Sequence, residues 1–303
     1  MDLDEIFNTF LERVVRVELF RSVVTETTPQ VLTRFAELAR AEANQAGDVL
    51  PRFMSVRSMG FRDPESGDYV RYGATTSRAE DRVRQVIRQQ DRQYGWLLVE
   101  AYEEFEDFLE KTYAWLGKHD SRAWRDRERG SIQCPEASQQ PFSRYLETLR
   151  NTPALDPRAI LGRLRHVYPI LEETERQNKL NRNLRLSVEL IANLRHKIVH
   201  ARGTISNRNG FVEQVLKNCG LWNNGRPTAE NREAVEAYLS PDPDCFITLI
   251  EVNVPPPPDV PPGIWRVLSP RFDTCGWLIE DLVADAVLIH RCVSSHTAAT
   301  PTA

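Results

Sequence analysis

The feature that most constrains the fold is a long run of apolar residues at helical spacing between residues 77 and 118. Apolar side chains recur there every three or four residues and share one face: Leu97, Leu98, Ala101, Phe105, Phe108, Leu109 and Leu116. The positions between them are mostly charged or polar, so the pattern predicts an amphipathic helix that buries one stripe against neighbouring helices. We expect this helix to run from Ser77 to about Lys118, with a break near Gly95.

The N-terminal part of the chain carries a similar helical signal. We predict two helices between residues 3 and 47. The second is expected to begin at Thr28 and Pro29, because threonine is a common N-terminal cap and proline suits the first helical position.

The second half of the chain is also predicted to be helical. Asp156-Pro157 should start a helix, which Pro169 interrupts before a long helix resumes and ends at about Arg202, just ahead of Gly203. Further helices are expected at 139–151, 211–218, 228–239 and 273–293. Together these segments predict a mainly α fold, an antiparallel helical bundle of four or more helices.

Strand signals are few. Residues 246–254 form the best strand candidate, because the run is apolar and rich in β-formers. The four prolines at 255–258 end it and favour an extended linker. Residues 69–72 are expected to form a short strand inside a connector punctuated by glycine and proline.

The predicted elements suggest three regions. Residues 1–75 are expected to form an N-terminal helical extension, and residues 77–296 the main helical domain. An insertion at about 204–272 interrupts that domain, and residues 297–303 are expected to be a disordered tail.

Composition excludes several classes of protein. The net charge is −4, so strong non-specific DNA binding is not expected. Five widely spaced cysteines without a CxxC pair argue against a disulfide framework or a zinc ribbon. The first residues are acidic where a signal peptide is basic, and no apolar run approaches the roughly 20 residues of a spanning helix. We therefore expect a cytoplasmic protein without a membrane partner.

One hexapeptide, residues 195–200, concentrates the chemistry of the chain. Arg195, His196 and His200 lie within two helical turns, and His196 and His200 share a face because they are four residues apart. Histidine exchanges protons near neutral pH, and arginine neutralises phosphoryl oxygens. This combination suits metal-free cleavage of RNA, in which the ribose 2′-hydroxyl attacks the adjacent phosphate.

Other interpretations of the hexapeptide remain open. It could be a surface helix end whose cations interact with the helix dipole. The pair His196 and His200 also has the spacing of two zinc ligands, although Lys197 stands where a metalloprotease has glutamate. Roughly one Arg-x4-His match is expected by chance in a chain with this composition. A second match, Arg291 to His296, does occur.

The hexapeptide, late in a long helix of a mainly α chain, resembles the HEPN superfamily (higher eukaryote and prokaryote nucleotide-binding domains). Ribonucleases of that superfamily carry an arginine, a following Asn, Asp or His, and a terminal histidine, which Arg195, His196 and His200 match. Residues 96–105 also look like the first long helix of such domains.

The resemblance implies a metal-independent endoribonuclease without a cofactor, acting in toxin–antitoxin or antiviral defence. It further implies a homodimer in which two copies build one cleft, RNA as the substrate, and an antitoxin or sensor protein as a further partner. The alternative is a non-catalytic member that binds a nucleotide or RNA, or a helical protein-interaction module. Glu100, Glu103 and Glu104 are assigned to a solvated helix face, with a carboxylate in the cleft as the alternative.

Overall fold

The computed structural model describes residues 1–43, 55–77, 79–126, 130–131, 140–222, 227–240, 246–252 and 271–299. These residues confirm the predicted mainly α fold with a small β element. The helices are α1 (Leu3–Ala43), α2 (Ala79–His119), α3 (Phe142–Arg150), α4 (Pro157–Val167), α5 (Pro169–Arg176), α6 (Leu184–Ala201), α7 (Arg208–Asn218), α8 (Ala229–Glu236) and α9 (Thr274–Ala299).

Helix α1 corrects the prediction of two N-terminal helices, because it continues through Pro29. The Thr28 hydroxyl does not cap a new helix. It donates to the Val24 carbonyl one turn back, as the Thr27 hydroxyl does to Val23. Proline lacks the N–H that would reach the Thr25 carbonyl, but losing that one bond does not end a helix of 41 residues.

Helix α2 is also continuous, so the predicted break near Gly95 is wrong. Glycine lowers helix propensity by only about 1 kcal/mol relative to alanine, and the buried stripe on both sides outweighs that penalty. Gly95 instead faces the side chain of Ile198 on α6.

The long helix predicted after Pro169 is two helices, α5 and α6, separated by residues 177–183. Asparagines explain the break, since their side chains bond to nearby backbone. Asn178 bonds the backbone of residues 174, 180 and 182, and Asn181 adopts a left-handed φ of 54°. Asn183 then caps α6, its Oδ1 accepting from the Leu186 N–H at 3.0 Å.

The β structure consists of short antiparallel pairs. Strand β1 (Ser55–Arg62) pairs with β2 (Tyr69–Ser77), which includes the predicted strand at 69–72. A minimal pair, β3 (Arg125–Asp126) and β4 (Gly130–Ser131), follows the 3-10 turn Ser121–Trp124. The last pair joins β5 (Ile250–Val252) to β6 (Arg271–Asp273).

The predicted strand at 246–254 is therefore shorter than expected. Phe246 and Ile247 make single bridges to Thr204 and Leu239, and only residues 250–252 join a ladder. Residues 253–254 and the prolines at 255–258 lie outside the described part of the chain.

The chain divides into two compact units, which differ from the predicted regions. One unit contains residues 1–20, 95–249 and 274–303, and the other contains residues 21–94 and 250–273. The expected N-terminal extension is thus shared between the two units, and it contains the β1–β2 hairpin as well as helix. Most of the expected insertion at 204–272 belongs to the first unit.

The core of the first unit is built from antiparallel helices. Phe7 contacts Phe108 and Phe10 contacts Phe105, so α1 and α2 run in opposite directions. Helix α6 also runs antiparallel to α2, because Arg195 reaches Glu103 while Ile198 faces Gly95. Helix α9 packs on α5 and α6.

A buried charged cluster joins α4, α5 and α9 in this unit. The Arg165 guanidinium forms a bidentate pair with Glu175 at 2.8–3.0 Å, and Glu175 and Asp285 are both 0% exposed. Neither oxygen of Asp285 accepts a hydrogen bond from the described residues. Burial raises the pKa of Asp285 well above its ordinary value, and the nearby Glu175 adds to the effect.

Helix α9 ends later than predicted, at Ala299 rather than near Val293. The first three residues of the expected disordered tail, 297–299, are therefore helical, while 300–303 lie outside the described residues. No glycine or proline precedes Pro301 in this stretch, and extending an existing helix needs no new nucleation. None of the described helices combines the length and apolar character that crossing a membrane requires.

Candidate functional site

The hexapeptide occupies the last two turns of α6, and the burial pattern of that helix sets its orientation. Leu194 and Ile198 point into the core, whereas His196 and His200 are exposed. The helix ends at Ala201, because Arg202 and Gly203 adopt left-handed φ values of 55° and 77°. Both imidazoles therefore lie near a helix C-terminus, where the backbone dipole favours positive charge.

The structure brings His196 and His200 together. Their ring centroids are 4.8 Å apart and their planes are inclined by 51°. Since both side chains are exposed, a substrate can reach either ring. Two imidazoles at this separation can serve as the proton acceptor and the proton donor on one phosphodiester.

Arg195 points to the side of this pair, against helix α2. Its Nη2 lies 3.4 Å from Glu103 Oε1, and its side chain is 32% exposed. Its Nε is buried and has no hydrogen-bond partner among the described residues. The guanidinium is thus held by packing and one weak ion pair, which leaves donors available for an anion.

A second carboxylate, Glu106, lies one turn further along α2. Burial raises the pKa of Glu106, and the positive charge of Arg195 opposes that rise. Glu103 and Glu106 therefore line the Arg195 side of the site. Glu103 is exposed, in keeping with the predicted solvated helix face, and it is also paired with Arg195.

The electrostatic surroundings of His196 affect its titration. Desolvation lowers the pKa of His196 below its ordinary value, and the charges of His200, Lys197, Arg195 and Arg158 lower it further. The lowered pKa favours the neutral form of His196, which is the form that accepts a proton.

Sequence reasoning missed Arg158, which belongs to this electrostatic environment. It lies in the first turn of α4, and its Nε is 3.4 Å from Glu189 of α6. Nothing in the local sequence around Asp156-Pro157 indicates a role beside the hexapeptide. Arg158 is close enough to influence His196 because its ion pair with Glu189 holds it beside α6 in the folded chain.

The second Arg-x4-His match lies on α9. Arg291 is exposed, and residues 291–296 are helical. As for metals, no group of three or more His, Cys, Asp or Glu side chains in the described residues is arranged to hold an ion. His196 and His200 thus have no third ligand of these types within that part of the chain.

Comparisons with protein-family models, with curated proteins and with solved structures gave no match.

Proposed function

We propose that this protein is a metal-independent endoribonuclease that cleaves RNA through attack of the ribose 2′-hydroxyl. The observation that carries the proposal is the exposed pair of imidazoles, 4.8 Å apart, next to a partly exposed arginine at the end of α6. The resemblance of the hexapeptide to the HEPN ribonucleases supports the same activity. Toxin–antitoxin or antiviral defence is the setting that this resemblance suggests.

The proposed reaction uses three side chains. A neutral imidazole takes the proton of the 2′-hydroxyl, the 2′-oxygen bonds to phosphorus, and the bond to the 5′-oxygen breaks. A protonated imidazole supplies the proton that the 5′-oxygen needs. His200 is the preferred general acid/base, and His196 orients the phosphodiester or shares the proton transfer. The products are a 2′,3′-cyclic phosphate and a 5′-hydroxyl.

Arg195 binds the scissile phosphate and neutralises the charge that develops on its oxygens. Its ion pair with Glu103 is long and exposed to solvent, so a phosphate can compete for the guanidinium. Lys197 and Arg158 add positive charge around His196. This charge attracts an RNA strand locally in a chain whose net charge is −4.

A homodimer is part of the proposal. The two histidines are exposed on one helix end, so a second copy of α6 could supply the opposite wall of a cleft. Light scattering at micromolar concentration should give twice the chain mass of 34.8 kDa. A monomer under those conditions would contradict the composite cleft. RNA and a regulatory antitoxin or sensor protein are the other proposed partners.

Incubation of the purified protein with total RNA and transfer RNA in EDTA tests the activity. Wild type should cut and leave 2′,3′-cyclic phosphate ends, whereas His200→Ala and Arg195→Ala should each lose at least about 100-fold in rate. The matched controls are His166→Ala, an exposed histidine near the end of α4, and Arg291→Ala from the second Arg-x4-His match. Both controls should cut at the wild-type rate.

Three results would count against the proposed enzyme. Equal cleavage by wild type and His200→Ala would show that another nuclease or another site is responsible. Cleavage that EDTA abolishes would favour the metal interpretation of His196 and His200. RNA binding without any cleavage would favour the non-catalytic binding module.

A further inference from the structure

One exposed tryptophan lies on helix α2 beside the candidate site. The Trp96 side chain is 58% exposed, although tryptophan is usually largely buried. Its neighbour along the chain, Gly95, is buried and faces Ile198, which lies within the hexapeptide on α6. A single exposed apolar residue needs no explanation by itself. The position of Trp96 relative to the candidate site therefore decides what the side chain can do.

The ion pair between Arg195 and Glu103 shows which edges of α2 and α6 meet at the solvent side of their contact. It joins Arg195 Nη2 to Glu103 Oε1 across 3.4 Å. Trp96 lies seven residues before Glu103, two helical turns, and so projects from the same edge of α2. Val199 lies one turn after Arg195 on the facing edge of α6, where it is 37% exposed. Trp96 and Val199 are therefore on the same solvent side of this helix pair.

Trp96 is also level with the two histidines along the helices. A Cβ on Gly95 would lie 3.5 Å from Ile198 Cδ1, so these two residues face each other. His196 and His200 lie two residues before and after Ile198, about 3 Å along the axis in each direction, and both are exposed. Since packed helices are about 8–10 Å apart, the indole of Trp96 and the two imidazoles border one surface groove.

The charges along this groove divide between its two walls. On α2 the nearest charges are carboxylates: Glu100 lies one turn after Trp96, Glu103 lies two turns after it, and both are exposed. The α6 wall carries the cationic and titratable side chains, which are Arg195, His196, Lys197 and His200. A phosphate is therefore favoured on the α6 wall, and an uncharged group is favoured beside Trp96.

We propose that Trp96 is a base-binding residue of the cleavage site, on which the nucleobase next to the scissile phosphate stacks. Aromatic side chains hold the bases of single strands in this way without reading sequence, because every base has a π face. The substrate is then single-stranded RNA, since the bases of a duplex are already stacked and paired. This inference rests on the proposed function, which places the phosphate at Arg195 and the two histidines.

A second copy of this chain is the competing occupant of this edge. A specific interface buries about 800 Å² on each partner, and its centre is depleted of charged residues. Among the large apolar side chains of α6 and of residues 95–119, only Trp96 and Val199 are exposed. These two side chains, bordered by Glu100 and Glu103, match the area of one base. Within the proposed homodimer, Trp96 therefore lines the cleft.

The first test measures binding separately from cleavage. In a His200→Ala background, fluorescence anisotropy with a labelled 12-nucleotide oligoadenylate gives the Kd. Trp96→Ala should raise the Kd about tenfold, whereas Trp96→Phe keeps a ring and should stay within a fewfold of the parent. The matched control is Trp277→Ala, a tryptophan on α9 that is 43% exposed, and it should leave the Kd unchanged. Annealing the strand to its complement should weaken binding to the parent.

A spectroscopic signature separates stacking from a structural role. A base stacked on an indole quenches its fluorescence. Titration with unlabelled oligoadenylate should therefore quench the tryptophan emission of the His200→Ala protein. The quenching should disappear in Trp96→Phe and persist in Trp277→Phe. Circular dichroism should show that substitution of the exposed Trp96 leaves the fold intact.

Several outcomes overturn the inference. An unchanged Kd in Trp96→Ala does so, and so does quenching that persists in Trp96→Phe. A loss of self-association in Trp96→Ala, seen by light scattering, would show that this edge joins two copies.

The failure of the proposed function looks different. Wild type would then cleave no RNA, while binding and quenching that depend on Trp96 persist. If wild type cleaves and Trp96→Ala cleaves with the same KM, the stacking inference alone is wrong, because a lost base contact raises KM. An absence of RNA binding by the His200→Ala protein overturns both.

Discussion

The guanidinium of Arg195 is held in position by packing and by an ion pair with one carboxylate, that of Glu103. Its Nε is buried without a partner among the described residues, and its Nη2 reaches Glu103 at 3.4 Å. An unpaired donor on a charged group is unfavourable, and such groups are common where a ligand completes the hydrogen bonding. The Glu103 carboxylate therefore pairs with the guanidinium that is proposed to bind the phosphate.

Replacing Glu103 with glutamine should strengthen phosphate binding by Arg195. The substitution removes a competing negative charge and keeps the size of the side chain. We expect the Kd for a non-cleavable RNA analogue to fall a fewfold, with the free energy of unfolding changed by less than about 1 kcal/mol, because the pair is exposed. Isothermal titration and urea denaturation measure the two quantities. Glu147→Gln, which breaks an exposed pair on α3, is the control.

The titration of His196 should depend on its neighbour. Its pKa is lowered by desolvation and by nearby positive charges, of which His200 is the largest contributor. In His200→Ala the pKa of His196 should rise toward the ordinary value near 6.5. Proton NMR of the imidazole signals follows this directly. His166→Ala should leave the midpoint unchanged.

The sign of the stability effect follows from the lowered pKa. The folded state binds the His196 proton more weakly than the unfolded state does. The free energy of unfolding is therefore highest above the unfolded pKa of about 6.5. It decreases as the pH falls through the folded pKa, because the unfolded state then binds the proton more readily. The group is almost fully solvated, so the effect on unfolding should be small.

At the residue scale, much of the candidate site could be predicted because it is local in sequence. The spacing of His196 and His200 puts two rings on one helical face wherever that helix forms. Arg158 and Glu106 could not be found in this way. They lie 37 and 89 residues before Arg195, and only tertiary packing brings their charges near the hexapeptide.

At the level of elements, helix α2 contains two glycines with opposite surroundings. A Cβ at Gly95 would lie 3.5 Å from Ile198 Cδ1, an ordinary contact. A Cβ at Gly117 would lie 2.0 Å from Trp124 Cε2. Trp124 is fixed there, since its Nε1 donates to the Tyr113 carbonyl at 2.9 Å and its ring is fully buried.

Alanine should therefore have opposite effects at the two positions. Gly95→Ala should raise the free energy of unfolding by about 0.5–1 kcal/mol, because alanine favours the helix and its methyl group has room. Gly117→Ala should lower it by about 1–3 kcal/mol or more, because the indole must move. Urea denaturation of the two variants beside wild type measures both. The same sign for both variants would contradict this packing of α2.

The elements show where sequence patterns succeed. The apolar stripe of α2 and the Asp156 cap of α4 were predicted, and the cap is confirmed by a 2.7 Å bond from the Ala159 N–H. The wrong predictions concern residues that interrupt helices. The sequence predicts a new helix at Pro29 and a break near Gly95, yet long helices with buried faces continue through both residues. The sequence predicts helix at residues 177–183, but the side-chain bonds of Asn178 and Asn183 and the left-handed φ of Asn181 interrupt it there.

On the scale of the whole molecule, the buried cluster on α4, α5 and α9 should control how stability depends on pH. One guanidinium, Arg165, faces two carboxyl groups, Glu175 and Asp285. A proton on Asp285 supplies the donor that its oxygens otherwise lack. An unfolded aspartate ionises near pH 4, so stability should fall as the pH rises from there toward the raised folded pKa.

Asp285→Asn should remove this dependence. The amide cannot ionise and can donate a hydrogen bond to Glu175. We expect the variant to be more stable than wild type at pH 8, by on the order of 1–3 kcal/mol, with the difference shrinking toward pH 5. Urea midpoints at the two pH values test this. Glu280→Gln, an exposed carboxylate on the same helix, should reproduce the wild-type profile. A variant less stable than wild type at pH 8 would show that an ionised Asp285 is preferred.

The division of the chain into units has a practical consequence for fragment design. The backbone passes between the units at residues 20–21, 94–95, 249–250 and 273–274. The first two passages lie inside the continuous helices α1 and α2, where no linker exists to cut. Neither unit can therefore be expressed as one uninterrupted stretch of the gene, and the hexapeptide cannot be isolated by trimming the termini. A minimal version of the first unit would need short loops in place of residues 21–94 and 250–273.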